Sequence, residues 1–139
     1  MNVDDAGIKK ILTENKNICV LGLSPEPSKP SHSVPMFMKS KGYNIIGVYP
    51  RGNDIGDVKV YAQLKDVPEK DRAFIDVFRR SEAIPEVVDE ILKLGGTKIL
   101  WLQLGISHPE AEKKAEAAGI QVVSNRCLLI EYRKWMAGV

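Results

Sequence analysis

Apolar positions along this chain come in two spacings. Residues 18–21 (Ile-Cys-Val-Leu) form an unbroken apolar run, the pattern of a parallel strand buried on both faces. Further strands are read at 43–49, 73–78, 98–103 and 120–123, with a small one at 59–61 and a helical turn at 64–67. Asp76 interrupts one of these runs, and a carboxylate in mid-strand needs a hydrogen-bonding partner or an edge position. Between the strands the spacing turns helical. Residues 4–14 place Ile8, Ile11 and Leu12 at i, i+3, i+4 behind a capping Asp4 or Asp5. Residues 33–41 put Val34, Phe37 and Met38 on one face, with Pro35 in the first turn and Gly42 as the stop. Ser81 is read as the cap of the next helix, with Pro85 in its first turn. Its stripe is Ile84, Val87, Val88, Ile91 and Leu92, and Gly95-Gly96 ends it. Ser107 and Glu110 have capping-box spacing ahead of an alanine-rich helix carrying Ala111, Ala115 and Ala118, with Gly119 at C′. Residues 127–136 form a closing helix with Leu128, Leu129, Tyr132 and Trp135 free to pack.

This alternation with short loops predicts a three-layer, Rossmann-like α/β domain: a parallel sheet of about five strands, in the order 3-2-1-4-5, with helices on both faces. No repeat, low-complexity tract or linker divides the chain, so residues 1–139 are expected to form a single domain. In such sheets a ligand lies beyond the carboxyl ends of the strands, at the switch point. Those ends are Gly22-Leu23-Ser24, Tyr49-Pro50-Arg51, Phe78-Arg79-Arg80 and Gln103-Leu104-Gly105. Behind the first comes a loop rich in Pro and Ser at 25–33 and then a helix N-terminus, where N–H groups and the helix dipole favour an anion.

Composition acts mainly by exclusion. With 44% apolar and 27% charged residues the chain reads as soluble globular material. Its apolar runs fall far short of the ~20 residues that span a membrane. Lys and Arg total 20 against 18 for Asp and Glu, a surplus too small to argue for nucleic acid or an anionic membrane. Without a basic-then-apolar leader pattern, the expected compartment is the cytoplasm. The cysteines, Cys19 and Cys127, form no CxxC or Cys/His cluster, and no metal-ligand spacing occurs. Cys19 is read as a core residue. Cys127 follows Asn125-Arg126 at a strand-to-helix turn, and is either a packing cysteine or a thiol able to exchange with a thiol ligand.

A dinucleotide site would want G-x-G-x-x-G after the first strand and an acid about 20 residues on; neither is present, which disfavours NAD. Cations replace them at the expected rim: Lys29, Arg51, Arg79 and Arg80. Guanidinium groups suit phosphates, and a ligand with several phosphates and an adenine fits the set. His32 lies in the loop and is a candidate phosphate contact; Gln103 is a candidate ligand hydrogen bond; His108 is read as a structural N1 residue. No Ser-His-Asp or Cys-His signature, P-loop or paired carboxylate is found, so no catalytic residue is assigned.

These residues resemble a family. V-L-G-L-S-P-E-P-S-K-P-S-H at 20–32, G-Y-N-I-I-G-V-Y-P at 42–50, I-D-V-F-R-R at 75–80, W-L-Q-L-G at 101–105 and A-E-A-A-G-I-Q-V-V-S-N-R-C at 115–127 are similar to the single-domain coenzyme A-binding proteins, relatives of the nucleotide-binding domain of the succinyl-coenzyme A synthetase α subunit. The resemblance covers nearly the whole chain and implies a binder of coenzyme A with no established catalytic activity. Carried over, Gly22, Leu23 and Ser24 approach the pyrophosphate, and Lys29, Pro30, Ser31 and His32 form a lid. Tyr49, Pro50 and Arg51 flank the adenosine and its 3′-phosphate, and Phe78, Arg79 and Arg80 line floor and rim. The chain departs from the family's pattern at Leu23, usually Ala, and at Tyr49, usually Asn before the proline. The synthetase's phosphohistidine domain has no counterpart, so ligase activity is not expected.

The expected function is therefore a cytoplasmic module that binds coenzyme A or an acyl-coenzyme A as carrier, sensor or regulator. Two alternatives are an NADP-dependent oxidoreductase with Arg51 on the 2′-phosphate, and a protein-interaction module with a vestigial pocket. Homodimers are common for folds of this size, but no patch in the sequence points to one.

Overall fold

The computed structural model describes residues 2–136. Its elements run α1 (Asp5–Glu14), β1 (Asn17–Leu21), α2 (Pro30–Ser40), β2 (Asn44–Val48), β3 (Val60–Tyr61), β4 (Phe74–Val77), α3 (Ile84–Leu94), β5 (Ile99–Leu102), α4 (Pro109–Ala117), β6 (Gln121–Val123) and α5 (Leu128–Trp135). All strand pairs are parallel, in the order β3-β2-β1-β4-β5-β6. The expected α/β class and strand order hold, and β6 adds a sixth strand at the β5 edge.

Both faces of the sheet are covered. On one, Cys19, Leu21, Ile75, Val77, Leu100 and Leu102 meet the α3 stripe (Ile84, Val87, Val88, Ile91) and Ala111 and Ala115 of α4. On the other, Ile18, Val20, Phe74 and Trp101 meet Ile8, Ile11 and Leu12 of α1, Val34 and Met38 of α2, and Leu128 of α5. Two helices and three helices thus sandwich the sheet, and strands buried on both faces read as continuous apolar runs. Tyr43 is buried at the foot of β2, where its hydroxyl donates to the Leu12 carbonyl. Burial pushes its pKa up to about 12, with Tyr132 adding to the rise.

Helix α1 starts where expected, whereas α2, α3 and α4 start away from the expected positions, each for a local reason. Asp4 caps α1 by accepting the Gly7 N–H at 2.9 Å. Helix α2 begins at Pro30, three residues earlier than the apolar spacing suggests, because a proline at the first helical position already has the required φ. Pro35 therefore lies inside the helix, beyond its first turn. Ser81 does not cap α3: a 3₁₀ turn at Ser81–Ala83 intervenes, and the Ser81 hydroxyl accepts the Ser107 N–H at 3.1 Å. The α4 cap is shifted one residue from Ser107. His108 is the N-cap, its Nδ1 accepting the Ala111 N–H at 3.2 Å, while Glu112 Oε2 accepts the His108 N–H at 2.8 Å. Proline at 109 sets this register, because it takes the first helical position.

Arg72, which no sequence pattern singles out, is buried beside the end of α3. It donates to the carbonyls of Val67 (2.8 Å), Leu94 (3.1 Å) and Gly95 (3.1 Å), so a cation closes the negative end of that helix.

Candidate functional site

The sheet changes winding direction between β1 and β4, where the chain leaves the two strands toward opposite faces. The strand ends are stitched together there. Gly22 N–H donates to Val48 O at 2.9 Å, and Phe78 N–H donates to Leu21 O at 2.9 Å. Gly22 has φ +98°, and a Cβ on it would stand 2.6 Å from the Phe78 carbonyl oxygen. Only glycine allows both the turn and the close passage of β4.

The loop beyond Gly22 is held to α2 by two bonds and folded on itself by a third. Ser24 N–H donates to Ser31 O at 3.2 Å, His32 donates from Nδ1 to Ser24 O at 2.7 Å, and Ser24 Oγ accepts the Glu26 N–H at 3.1 Å. A carbonyl only accepts, so the proton of His32 sits on Nδ1. The N-cap of α2, Lys29, makes no side-chain cap; Pro30 has no N–H and His32 and Ser33 donate to the Lys29 carbonyl, which leaves the Ser31 N–H facing outward at the helix start.

Two cavities meet over these strand ends. One, of about 500 Å³, lies against Gly22, Ser24, Tyr49 and Pro50; the other, of about 560 Å³, against Pro30, Arg80, Gly105 and Ile106. Lys29, Ser31, Phe78 and Arg79 border both, so they form one trough across the switch point. Ten of the fourteen residues singled out from sequence line it: Gly22, Ser24, Lys29, Pro30, Ser31, Tyr49, Pro50, Phe78, Arg79 and Arg80. The remaining four stand elsewhere. Leu23 is fully buried and turned into the core over Gly47, so the larger side chain does not obstruct the trough. His32 lies behind the loop, committed to Ser24. Arg51 borders a separate cavity of about 170 Å³ together with Leu23 and Tyr49. Gln103 is 3% exposed and donates to Asp76 Oδ1 at 2.6 Å instead of reaching the trough. A further lining residue, Ile106, carries no sequence signal beyond its place after a strand.

The trough carries positive charge. Lys29 is paired loosely with Glu26 at 3.6 Å, and among the described residues Arg79 and Arg80 are exposed and make no salt bridge, with Glu82 the acid on the same rim. Beneath it, Asp76 is fully buried, and burial pushes its pKa up to about 8 against the opposing Gln103 hydrogen bond. Burial also pushes the Cys19 thiol up to about 12, with Asp71 and Asp76 adding and Arg72 opposing, so it packs as an inert side chain. Cys127 is half-buried at the N-cap of α5. Among the described residues no three His, Cys, Asp or Glu side chains gather as a metal-binding group, and no helix is long and apolar enough to cross a membrane.

A coenzyme A-binding domain model matches residues 16–133. The chain belongs to the coenzyme A-binding domain family. It is 34% identical over 131 residues to the uncharacterized protein YneT of Bacillus subtilis strain 168, covering 94% of this chain and 96% of that protein. Among solved structures, a Thermus thermophilus protein superposes with TM-score 0.88 at 36% identity, over 96% of this chain and all of that one. A hypothetical protein of Pyrococcus horikoshii OT3 superposes with TM-score 0.86 at 30% identity, over 97% and 94% of the two chains. The matched region of this coenzyme A-binding domain runs from the foot of β1 into α5, and so takes in every strand and the whole trough.

Proposed function

We propose that the chain binds coenzyme A or an acyl derivative in the trough, as a carrier, sensor or regulatory module and not as a catalyst. The observation that carries this reading is the joining of two cavities over the Gly22 turn and the uncapped start of α2, under exposed arginines. A pyrophosphate suits the Ser31 amide at the start of α2, above the Gly22 turn, since the Gly22 and Ser24 amides are already given to Val48 and Ser31, and Lys29 and Arg79 supply charge beside it. The adenosine is assigned to the Tyr49 and Pro50 side and the pantetheine arm to the Phe78 and Ile106 side. Among the described residues Ser24 and His32 do not form a nucleophile and base, which supports a binding role. The hydroxyl of Ser24 is buried and accepts from Glu26, and His32 is bonded to the Ser24 carbonyl, not to a hydroxyl. An NADP site fits less well, since Arg51 borders a different and smaller cavity.

Calorimetric titration of ligand-stripped protein with coenzyme A, beside NADPH and ATP, tests the proposal. Micromolar or tighter binding of coenzyme A alone is expected. Binding of NADPH without coenzyme A would overturn the reading in favour of an oxidoreductase, and silence from all three would favour an interaction module with a vestigial pocket.

A further inference from the structure

Asp76 and Gln103 line neither cavity, yet they join the two strands from which the second cavity is built. Asp76 sits in β4, in register with Val20 of β1 and Trp101 of β5, and so faces α1, α2 and α5. Its Oδ1 accepts the Gln103 amide, and its buried Oδ2 has no hydrogen-bond partner among the described residues. The bridge ties β4 to the end of β5 where both strands give way to loops. Phe78, two residues beyond Asp76, and Gly105, two beyond Gln103, both border the second cavity. The Ser81–Ser107 hydrogen bond ties the same two loops a second time, further out.

We infer that the Asp76–Gln103 bridge positions the two loops of the second cavity, and that ligand binding in the trough requires this bridge to be uncharged. The inference rests on the coenzyme A reading of the site. Asp76 holds its proton at pH 7, because burial dominates and the single amide of Gln103 offsets it only in part. Among the described residues the surrounding elements bring no cation to it. Cys19 lies on β1; α1 turns only Ile8, Ile11 and Leu12 inward; α2 turns Val34, Pro35 and Met38 inward, with His32 bonded to Ser24. Glu131 of α5 is engaged by Arg126 and Trp135, while Lys29, Arg79, Arg80 and Glu82 are exposed on the loops. Ionisation would leave a buried charge with one neutral partner, loosening the strand ends and opposing an anionic ligand from below.

The test is calorimetric titration of the whole chain with coenzyme A from about pH 6.5 to about pH 9.5, for the parent and for Asp76→Asn, whose amide has similar shape and cannot ionise. Affinity of the parent is expected to fall about tenfold per pH unit above about pH 8, and the variant to lack that fall. Carboxyl-carbon NMR of the parent gives a check independent of the variant, since bound coenzyme A must then raise the pKa of Asp76. The same pH profile in both chains, or a pKa unmoved by ligand, would overturn the inference alone. Absence of coenzyme A binding at every pH would overturn the reading on which it rests.

Discussion

Pro35 stands four residues after Ser31 in α2, and the Ser31 carbonyl it cannot serve accepts the Ser24 N–H at 3.2 Å instead. A proline inside a helix removes one i→i−4 bond. Here the released acceptor ties the loop beyond β1 to the helix that follows it, so an imperfection in α2 becomes an anchor for the trough.

Pro35→Ala gives α2 its missing donor, and the new N–H competes with Ser24 for one carbonyl. The Ser24 amide is expected to exchange hydrogen about tenfold faster, the worth of about one hydrogen bond, and coenzyme A affinity to fall. Native-state exchange measured by NMR checks this; an unchanged rate would mean that the carbonyl accepts both donors.

Gly22→Ala places a Cβ against the Phe78 carbonyl at a φ that L-residues rarely adopt. Strain of about 1 to 3 kcal/mol is expected in urea unfolding, with loss of coenzyme A binding because β1 and β4 must separate. Parent-like stability in the variant would show that the turn can re-form with another φ.

The buried acid makes stability depend on pH. Asp76 has a folded pKa of about 8, and an unfolded aspartate titrates near 3.9. Between those values the folded chain holds a proton that the unfolded chain has lost, so unfolding free energy falls as pH rises. The contribution is fully present below about pH 4 and is lost as pH climbs through about 8. Urea midpoints at about pH 5, 7 and 9 should decline in that order, and Asp76→Asn should flatten the decline. Equal slopes in the two chains would put the pH dependence on another group.

Arg79 borders both cavities and Arg51 neither, so the two guanidinium groups should differ in weight. Arg79→Ala is expected to weaken coenzyme A binding by about 1 to 3 kcal/mol, the loss of a charge-assisted bond, and Arg51→Ala by less. Calorimetry on both variants decides it; a larger loss at Arg51 would move the 3′-phosphate to the smaller cavity.

Periodicity was enough to read the six strand segments, the α/β class and the strand ends where a ligand belongs, because burial on two faces writes unbroken apolar runs and amphipathic helices write a stripe. It misjudged the starts of α2, α3 and α4, since capping depends on which side chain reaches which N–H. Thus Ser81 bonds Ser107 in place of its own helix, and His108 displaces Ser107 as a cap. Leu23 stands in sequence as a departure from the family's usual Ala in the loop. In the fold it points down over Gly47, where a Cβ would lie 2.5 Å from its Cδ2, so the glycine leaves the room that the leucine fills.

What the sequence by itself determined was local and periodic: element type, the parallel sheet, the Gly22 turn and the cationic residues at strand ends. Only the tertiary structure decided which of those cations share a cavity, that Gln103 bonds Asp76, that Arg72 closes α3, and that Ser31 is free to hold Ser24. Each of these is a contact between residues far apart in the chain or between two faces of one element. Spacing along a sequence encodes which face a side chain takes, but not what stands opposite it.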